Sequence, residues 1–456
     1  MLRAPRPPVR RTDADVIVIG AGAAGLAATR VLAAEGVRVI LLEARDRLGG
    51  RILTVRDDRV PIPIELGAEF IHGSAPETEE VIRGAGIVAC DVVGERWRAA
   101  DGTAQRVTDY WRRLDLVMRR LDPERDPDLS FREFLDRHPG GRRLGRERTL
   151  AAEFVEGFHA ADIERISARS LANGGSPGDD HAERRMGRIV DGYDAVPLSL
   201  ARDVDDLARL ETEARRIEWE RGFVRVTAAM RRGPSAQLTA RAVIVTVPVG
   251  VLQATPPARG AIEFDPEPEG LREALAGLAS GSAVRIVLSF REAFWAERPI
   301  RTRPHGATLA CMHFLHLHGG PLPVWWSAFP LRSPMLTGWV GGPAAEVLAR
   351  EGLDGIREAG LQSLATHLAI PRRTLGALVT GAWMHDWMDD PFSRGVYSYP
   401  VVGGSDASRI LARPIDGTLF FSGEAADTEM RTGTVHGAIG SGRRAARSAL
   451  KALARD

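Results

Sequence analysis

The stretch VIVIGAGAAGLAATRVLAAEGVRVILLEARDRLGGR, residues 16–51, contains the pattern that decides the fold. Its first four residues form a continuous β-branched run, which is typical of a strand buried on both faces of a parallel sheet. An alanine-rich segment with helical propensity extends to Glu35, and a second apolar strand is predicted at residues 37–42. Strand, helix and strand in this order predict an α/β fold with a parallel sheet.

Three glycines connect the first strand to the helix with the spacing G-x-G-x-x-G. Gly20 permits a tight turn, Gly22 lets the backbone approach a pyrophosphate, and Gly25 allows the helix to pack closely on the strand. The first helical residues, Ala23 and Ala24, are then expected to face the phosphates, because a helix N-terminus presents free amides.

The second predicted strand ends at Glu43, about twenty residues after the glycines, where an acid accepts hydrogen bonds from a ribose. The glycine motif alone also fits an ordinary loop. Here the strand, the helix, the second strand and the acid agree, so the sequence predicts a dinucleotide-binding site.

Composition limits the classes of function. The chain has 456 residues, 44% of them hydrophobic, so we expect two domains built from discontinuous segments. Sixty-one basic residues nearly balance 60 acidic ones, which provides no cationic face for nucleic acid or anionic lipid. No segment has the roughly eighteen uncharged apolar residues of a membrane span. We therefore expect neither nucleic acid nor a membrane as a partner.

The cysteines and two polar segments support further expectations. Only Cys90 and Cys311 are present, which suits a reducing compartment, and we expect a cytoplasmic protein. Residues 1–13 are rich in Arg and Pro and are predicted to form a disordered tail. Residues 171–185, LANGGSPGDDHAERR, are predicted to form a surface loop or a mobile lid.

Further segments show a pattern that extends beyond the dinucleotide site. They are EARDRLGGR at 43–51, ELGAEFIHG at 65–73, ARAVIVTVPVGVLQ at 240–253, LSFREAFW at 288–295, LTGWVGG at 336–342, DPFSRGVYSY at 390–399 and LFFSGEAADTEMRTGTVHGAIGSG at 419–442. In order and spacing they resemble the flavin-containing amine oxidase family of monoamine oxidases, polyamine oxidases and a related histone demethylase. The resemblance covers nearly the whole chain and is closest to the polyamine oxidase-like branch.

This resemblance implies FAD as the cofactor. Because Val396 stands where monoamine oxidases carry the cysteine that bonds the flavin, we expect non-covalent FAD. Arg47 is a further candidate near the phosphates, and a helix N-terminus near Val435 is expected to stabilise anionic reduced flavin. In addition to the residues of the glycine turn and Glu43, the implied cofactor-binding residues are Ala44, Arg45, Gly49, Gly50, Arg51, Gly67, Ala68, Glu69, Ala214, Val247, Gly423, Glu424, Thr434 and Val435.

The resemblance also implies a division into two domains. We expect an FAD-binding Rossmann-like domain from residues 14–75, 206–265 and 405–456, and an α+β substrate-binding domain from residues 76–205 and 266–404. Helices are predicted in the second domain at residues 271–278 and 344–368. Another helix is predicted with its apolar face in the core, from the helical spacing of Tyr110, Trp111, Leu114, Val117, Met118 and Leu121.

Three aromatic-cage positions are implied for the substrate amine. Tyr397 and Trp387 match family positions at which an aromatic ring lies beside the amine, where it suits a nascent cation and excludes water. The opposing position is Thr434, which is not aromatic. The paired cage of monoamine oxidases is therefore absent, and a small arylalkylamine is disfavoured as the substrate.

Two further residues follow the glycine motif. His72 matches an active-site histidine of animal polyamine oxidases, and it either tunes and orients the amine or is a hydrogen-bonded structural histidine. Glu69 either faces the cavity and attracts a cationic substrate or is a satisfied surface acid. The sequence leaves both pairs of alternatives open.

The main departure from the family pattern is Arg285. The family usually places a lysine in V-K-x-x-L-x-F, where it assists the reaction with oxygen, and this chain reads VRIVLSF. Lys451, the only lysine, lies too far along the C-terminal segment to replace it. Arginine keeps the positive charge but is larger, planar and never neutral. We interpret Arg285 either as changing oxygen reactivity or binding an anion, or as drift toward arginine that preserves the lysine's role.

Two other groups of residues are expected to carry no chemistry. His313, His316 and His318 have no nearby carboxylate or thiolate beyond Cys311, so we expect no metal site. Trp325 and Trp326 are expected to be core residues of a strand.

The sequence thus predicts oxidation of a primary or secondary amine, polyamine-like or otherwise extended, to an imine, with O2 as acceptor and H2O2 as product. The catalytic candidates are Arg285, Tyr397, His72, Trp387 and Thr434. The alternatives are an amino-acid oxidase that uses Arg285 or another arginine to bind a carboxylate, a flavin dehydrogenase with another acceptor, and a flavin-binding scaffold with little turnover. A homodimer and a monomer remain open.

Overall fold

The computed structural model describes residues 11–173, 185–231 and 233–454. Within them a five-stranded parallel sheet lies next to an eight-stranded mixed sheet, and smaller sheets and helices cover both. The predicted α/β fold with a second α+β part is confirmed. No helix in these ranges has both the length and the apolar character of a membrane span.

The parallel sheet is assembled from strands that lie far apart in the sequence. Its order is Ala208–Arg209, Val39–Leu42, Val16–Ile19, Ala242–Val245, Leu419–Phe421. All four residues of the first strand are buried, as the β-branched run predicted. Val16 and Val18 pack in the core beneath the helices, whereas Ile17 and Ile19 pack in the core on the other face. Alternate residues of the same strand thus belong to two cores.

Five further sheets accompany the parallel sheet in the described residues. The eight-stranded sheet has the order Arg301–Arg303, Thr103–Val107, Glu95–Ala100, Met312–Leu317, Val324–Ser327, Met335–Gly341, Ala283–Phe290, Val379–Trp383. A four-stranded sheet has the order Ala236–Ala240, Phe223–Met230, Thr212–Glu220, Glu263–Asp265, and a three-stranded sheet has the order Phe70–His72, Met186–Ile189, Ala89–Asp91. Two pairs complete the set, Thr54–Val55 with Ile64–Glu65 and Leu278–Ser280 with Ser398–Pro400.

Helices cover the sheets on both sides. The α-helices are Ala23–Ala34, Pro76–Ala85, Tyr110–Met118, Phe131–Asp136, Gly145–His159, Ala168–Asn173, Ala195–Ala201, Val249–Leu252, Leu271–Ala276, Phe294–Glu297, Pro343–Ala349, Gly352–Leu368, Arg372–Leu378, Ala407–Leu411 and Val435–Leu453. Short 3₁₀ helices are Arg142–Leu144, Asp205–Leu207 and Glu424–Ala426.

Several predicted element bounds need correction. The helix predicted at 344–368 is two helices: the first ends at Ala349, and the second begins at Gly352, which has a left-handed φ of 63°. The helix predicted at 271–278 ends at Ala276, and Leu278 begins a strand. The strand predicted at 37–42 begins at Val39.

Several helices pack across the predicted domain boundaries, which stay a prediction. Val81 in the second helix and Val196 in the seventh pack in the same core as the first helix, although both were assigned to the substrate-binding domain. Leu271 likewise packs in the core on the other face of the parallel sheet. Apolar surface on these helices is buried against the parallel sheet rather than the eight-stranded one, and sequence spacing alone does not reveal that choice.

Two predicted segments lie partly outside the described residues. Of the predicted tail, Thr12 and Asp13 belong to the fold, because the Asp13 carboxylate accepts hydrogen bonds from the Thr239 amide and hydroxyl at 2.8 and 2.7 Å. Of the predicted loop or lid at 171–185, residues 171–173 end a helix, and residues 174–184 lie outside the described residues.

Close backbone contacts join the two ends of the chain. A Cβ atom on Gly442, in the last helix, would lie 2.1 Å from the Ala24 carbonyl oxygen in the first helix. A Cβ on Gly25 would lie 1.8 Å from the Gly20 carbonyl oxygen. Gly25 therefore packs helix against turn, as the motif predicted.

We expect Gly25→Ala to destabilise the protein by more than about 3 kcal/mol, because the clash is with backbone that cannot rotate away. Gly84→Ala is the matched control, since a Cβ there meets no atom within 4 Å and lies in a helix, where Ala is favoured over Gly. Thermal unfolding of both variants measures the difference. Equal melting temperatures for the two variants would contradict the packing role.

Candidate active site

A continuous cavity of about 2300 Å³ runs through the protein and is lined by residues of both large sheets. This volume exceeds the few hundred to roughly 1,000 Å³ of a typical single-ligand pocket. One end, the glycine-turn end, is lined by Gly20, Gly22 and Glu43. The other end, the aromatic chamber, is lined by Arg96, Tyr110, Trp111, Phe154, Phe314 and His316.

The glycine-turn end forms where two parallel strands finish. Gly20 has a φ of 100°, a left-handed value that favours glycine, and its amide donates to the Leu42 carbonyl at 2.7 Å. The buried Glu43 carboxylate accepts hydrogen bonds from the Ala21 amide at 2.8 Å and the Arg45 amide at 2.9 Å. Glu43 thus holds the turn while lining the cavity, and a carboxylate retains further lone pairs for a ligand.

The cavity brings together the predicted cofactor-binding and catalytic residues, except Gly25. They lie on six separate segments of the chain, which the sheets and the last helix bring together. The residues that line the cavity are Gly20, Gly22, Ala23, Ala24, Glu43, Ala44, Arg45, Gly49, Gly50, Arg51, Gly67, Ala68, Glu69, His72, Ala214, Val247, Arg285, Trp387, Tyr397, Gly423, Glu424, Thr434 and Val435.

Two of the predicted arginines have mainly structural contacts. Arg47, the further phosphate candidate, does not line the cavity, and its guanidinium donates to the carbonyls of Leu48, Gly50 and Ile52. These contacts favour a structural role for Arg47, and its position near the phosphates stays a prediction. Arg45 lines the cavity, but its guanidinium is paired with Asp390 at 2.9 Å.

Glu424 connects segments from opposite ends of the chain. One carboxylate oxygen accepts from Arg51 at 3.1 Å, and the other accepts from the Ser398 hydroxyl at 2.7 Å and the Gly433 amide at 2.9 Å. The residue is only 6% exposed, so Glu424 is a buried acid and not a solvated residue of a turn. Arg51 also donates to the Val396 carbonyl.

The last helix begins at the cavity, as predicted. Thr434 is its N-cap, and the Thr434 hydroxyl accepts from the Gly437 amide at 3.0 Å and donates to the Arg431 carbonyl at 2.6 Å. Thr434 and Val435 line the cavity, so the positive end of a 19-residue helix dipole borders it.

The two predicted aromatic rings are held by hydrogen bonds to carbonyls. The Tyr397 hydroxyl donates to Phe158 at 2.6 Å, and the Trp387 indole donates to Leu66 at 2.7 Å. Burial, with a smaller contribution from Glu424, raises the pKa of Tyr397 above its ordinary value. Tyr397 is therefore a neutral phenol at any physiological pH, with its ring against Gly433.

Arg285 belongs to a buried ion cluster. Its guanidinium is 7% exposed, donates to the Gly67 carbonyl at 2.7 Å and pairs with Glu69. Glu69 is also paired with Arg188 at 2.5 Å and accepts from the Trp326 indole at 3.0 Å. Burial alone would raise the pKa of Glu69, but Arg285 and Arg188 lower it below the ordinary value. Glu69 is therefore an ionised buried acid, and the surface-acid alternative is wrong.

His72 lines the cavity and contacts the ring of Phe158 at 5.4 Å. Burial, and secondarily His436, lowers the pKa of His72 to about 4. The imidazole is therefore neutral at pH 7, which suits a group that accepts or donates a hydrogen bond without carrying charge.

Sequence reasoning missed the aromatic chamber. Tyr110 and Trp111 were assigned to the core, yet both line the cavity. Trp325 and Trp326 are buried strand residues, as expected, and Trp326 also lines the cavity. Arg96 was not considered, and the signal available was a charged residue next to the apolar Trp97, which the structure places buried on strand Glu95–Ala100. In the part of the chain that the structure describes, no three His, Cys, Asp or Glu side chains converge as metal ligands.

Comparison with known proteins places this geometry in a family. The model of the flavin-containing amine oxidoreductases matches residues 23–114 and 89–450. The chain belongs to this family. The predicted resemblance and the prediction of a flavin-dependent amine oxidase are thereby confirmed.

Individual relatives of this amine oxidoreductase are similar over most of its length. A probable polyamine oxidase 4 of Arabidopsis thaliana is 29% identical over 93% of this chain and 84% of the relative. The human lysine-specific histone demethylase 2 is 28% identical over 95% of this chain and 53% of the relative. Both similarities extend over more than nine tenths of this chain, at 93% and 95% of its length.

Solved structures of other proteins have the same fold. A putrescine oxidase bound to putrescine has a TM-score of 0.78 at 19% identity and covers 96% of this chain and 99% of its own. Cyclohexylamine oxidase from Brevibacterium oxydans IH-35A has a TM-score of 0.78 at 20% identity, with coverage of 97% and 100%.

In this amine oxidoreductase, we expect Glu69→Gln to lower the free energy of unfolding by about 3 to 5 kcal/mol, because two buried arginines lose their counter-charge. Glu80→Gln is the control, since Glu80 is 62% exposed in its pair with Arg443 and its loss should cost less than about 1 kcal/mol. Chemical denaturation at equal flavin content measures both. A small, equal loss in the two variants would show that the cluster is not stabilising.

Proposed function

We propose that this protein uses non-covalent FAD to oxidise an extended primary or secondary amine to an imine, which water hydrolyses. The observation that carries the proposal is the single cavity that joins the glycine turn to the aromatic chamber past Arg285 and Tyr397. Its volume of about 2300 Å³ has room for a dinucleotide and a substrate together.

The residues at the glycine-turn end fit FAD. Gly20 and Gly22 present backbone without side chains, Glu43 offers a carboxylate to a ribose, and the N-terminal amides after Gly22 suit a pyrophosphate. Val396 lines the cavity and has no thiol, which supports non-covalent binding. FAD, when bound, supplies an oxidant that takes two electrons and a proton from the amine and its adjacent carbon.

We assign two lobes to these tasks, with boundaries revised from the packing. The segments around the parallel sheet, including helices Pro76–Ala85, Ala195–Ala201 and Leu271–Ala276, form the FAD-binding lobe. The eight-stranded sheet and the helices of the aromatic chamber form the substrate-binding lobe.

The protein's own side chains orient the amine and exclude water. The rings of Tyr397 and Trp387 provide faces that suit a nascent cation. His72, with its pKa lowered by burial to about 4, is a weak base, so we assign it an orienting role through hydrogen bonding. The N-terminus of helix Val435–Leu453 provides positive potential for negative charge that develops nearby.

The proposal also specifies the electron acceptor and the substrate class. We propose O2 as acceptor, reduced to H2O2 by the two electrons and two protons removed from the amine. Arg285 lies where the family pattern has lysine, and its pairing with Glu69 supports a fixed positive charge at the cavity wall. The named activities of the similar polyamine oxidases and putrescine oxidase support an extended amine as the substrate.

The two free cysteines support a reducing compartment, and we propose the cytoplasm.

The test of this function is anaerobic reduction by a panel of amines. We expect the yellow holoenzyme to release its flavin on denaturation and to bleach when mixed with extended amines. Each amino acid is compared with its decarboxylated amine to separate amine oxidation from amino-acid oxidation. Flavin that no amine or amino acid bleaches would overturn the proposal in favour of a scaffold.

We expect Arg285→Lys to accelerate reoxidation of the reduced enzyme by O2 about tenfold or more, because a smaller ammonium concentrates positive charge where superoxide-like charge develops. Arg188→Lys is the matched control: it alters the same ion cluster at Glu69 but does not line the cavity. Stopped-flow mixing with oxygenated buffer measures both rates. An unchanged rate in Arg285→Lys would indicate that the arginine already performs the lysine's role.

A further inference from the structure

Arg96 is the one cavity-lining arginine, among the described residues, that is surrounded by aromatic rings and has no acidic partner. It lies on strand Glu95–Ala100, and its guanidinium carbon is 4.2 Å from the ring centre of Tyr110, 4.4 Å from Phe314 and 5.6 Å from Trp111. Burial lowers the pKa of Arg96, although an arginine remains charged.

Unlike Arg96, the other arginines that line the cavity are either exposed to solvent or paired with an acid. Arg98 and Arg146 are exposed to solvent. The remainder each lie within 4 Å of a carboxylate: Arg45 with Asp390, Arg51 with Glu424, Arg113 with Glu147, Arg285 with Glu69, Arg409 with Asp406 and Arg431 with Glu77. Within the ranges that the structure describes, no carboxylate lies this close to Arg96.

The single hydrogen-bond partner of Arg96 in those ranges does not neutralise it. A guanidinium nitrogen of Arg96 lies 2.7 Å from His316 Nε2. Burial, followed by Arg96 and Arg98, lowers the pKa of His316 to about 3. His316 is therefore neutral at pH 7 and accepts the hydrogen bond, so the positive charge of Arg96 remains uncompensated.

A partly buried cation without a counter-charge favours an anion as its ligand. Contacts with aromatic rings stabilise a desolvated cation by about 2 kcal/mol, which is less than the cost of burying an unpaired charge. A guanidinium has five N–H donors in a planar fork that matches a carboxylate, and most of those of Arg96 have no protein partner in the described residues. We propose that Arg96 binds a carboxylate carried by the amine substrate.

The position of Arg96 sets where that carboxylate lies in the substrate. Between Arg96 and Arg285 stand the rings of Phe314 and Trp326, whose centres are 6.2 Å apart. An α-amino acid carries its carboxylate on the reacting carbon and does not span two rings. The substrate is therefore an amine with a carboxylate at its far end.

A second row of rings supports an apolar spacer between the amine and the carboxylate of the substrate. From His72 toward Arg96 the cavity is lined by Phe158, Phe154 and Trp111, with consecutive ring centres 5.1 and 6.0 Å apart. This wall suits a methylene chain or an aryl group. An ω-amino carboxylate has both a carboxylate at its far end and an apolar spacer. A diamine would instead place its second ammonium against Arg96.

This inference rests on the proposed amine oxidation and narrows its substrate. The rival is a diamine whose distal ammonium pairs with Glu153, an exposed acid that lines the same cavity 3.8 Å from His318. Arg96→Gln and Glu153→Gln therefore separate the two substrate classes, and each variant serves as the control of the other.

The experiment compares three substrates of equal length at each of several chain lengths: an ω-amino carboxylate, its ω-amino amide and the corresponding diamine. We measure kcat/KM from anaerobic flavin reduction in the wild-type holoenzyme and the two variants. We expect the carboxylate to be preferred over the amide by about 10- to 100-fold at one length, the range expected for hydrogen bonds to a charged group. Arg96→Gln should lose this preference, Arg96→Lys should keep part of it, and Glu153→Gln should keep all of it.

A preference that persists in Arg96→Gln, or equal kcat/KM for the three substrates in the wild type, would overturn the inference. A preference for the diamine that is lost in Glu153→Gln would overturn it in favour of the rival.

A second readout separates failure of this inference from failure of the proposed function. An alkanoate that lacks the amine is titrated calorimetrically into wild-type and Arg96→Gln holoenzyme, so no oxidation is needed. Binding that is lost in Arg96→Gln supports the carboxylate site even if no amine reduces the flavin. Equal binding in both proteins, or none in either, refutes it even if amines are oxidised.

Discussion

The hydrogen bonds accepted by the buried carboxylate of Glu424 are the interactions on which the site depends most. It accepts hydrogen bonds from Arg51, which follows the glycine motif, and from Ser398 and Gly433 near the C-terminus. Removing one partner from such a network leaves buried donors unsatisfied at about 1–3 kcal/mol each. The same contacts place Tyr397, next to Ser398, and Thr434, next to Gly433, at the cavity, so a single acid couples the chain ends to the geometry of the substrate side.

Charge is distributed unevenly along the cavity. Near the glycine turn and the predicted flavin ring position, arginines are matched by acids, as Arg285 is by Glu69 and Arg45 by Asp390. In the aromatic chamber Arg96 is matched by rings and a neutral imidazole. This contrast matters because the low dielectric of a buried site strengthens any electrostatic interaction with a ligand. The paired arginines shape the wall, and the unmatched one is available to a substrate.

Much of the fold was predictable because its signals are local. The run at residues 16–19, the spacing of Gly20, Gly22 and Gly25, and the acid at Glu43 define a strand, a turn and a strand end without reference to distant residues. The packing of helices such as Pro76–Ala85 against the parallel sheet was not predictable, because an amphipathic helix specifies an apolar face but not the sheet that covers it. Likewise, Tyr110 and Trp111 have the same helical spacing whether they pack in the core or line a cavity. Only the tertiary structure shows that they line the cavity.

The sequence by itself determined the parallel α/β unit, the glycine turn and the family. It also predicted that Arg285 and Val396 stand at positions where the family pattern has a lysine and a cysteine. Only the tertiary structure decided the charge state of the site. It places Glu69 between Arg285 and Arg188, and it leaves Arg96 among Tyr110, Trp111 and Phe314. The physical reason is that burial and ion pairing arise between residues far apart in the chain, whereas composition and spacing report only on neighbours.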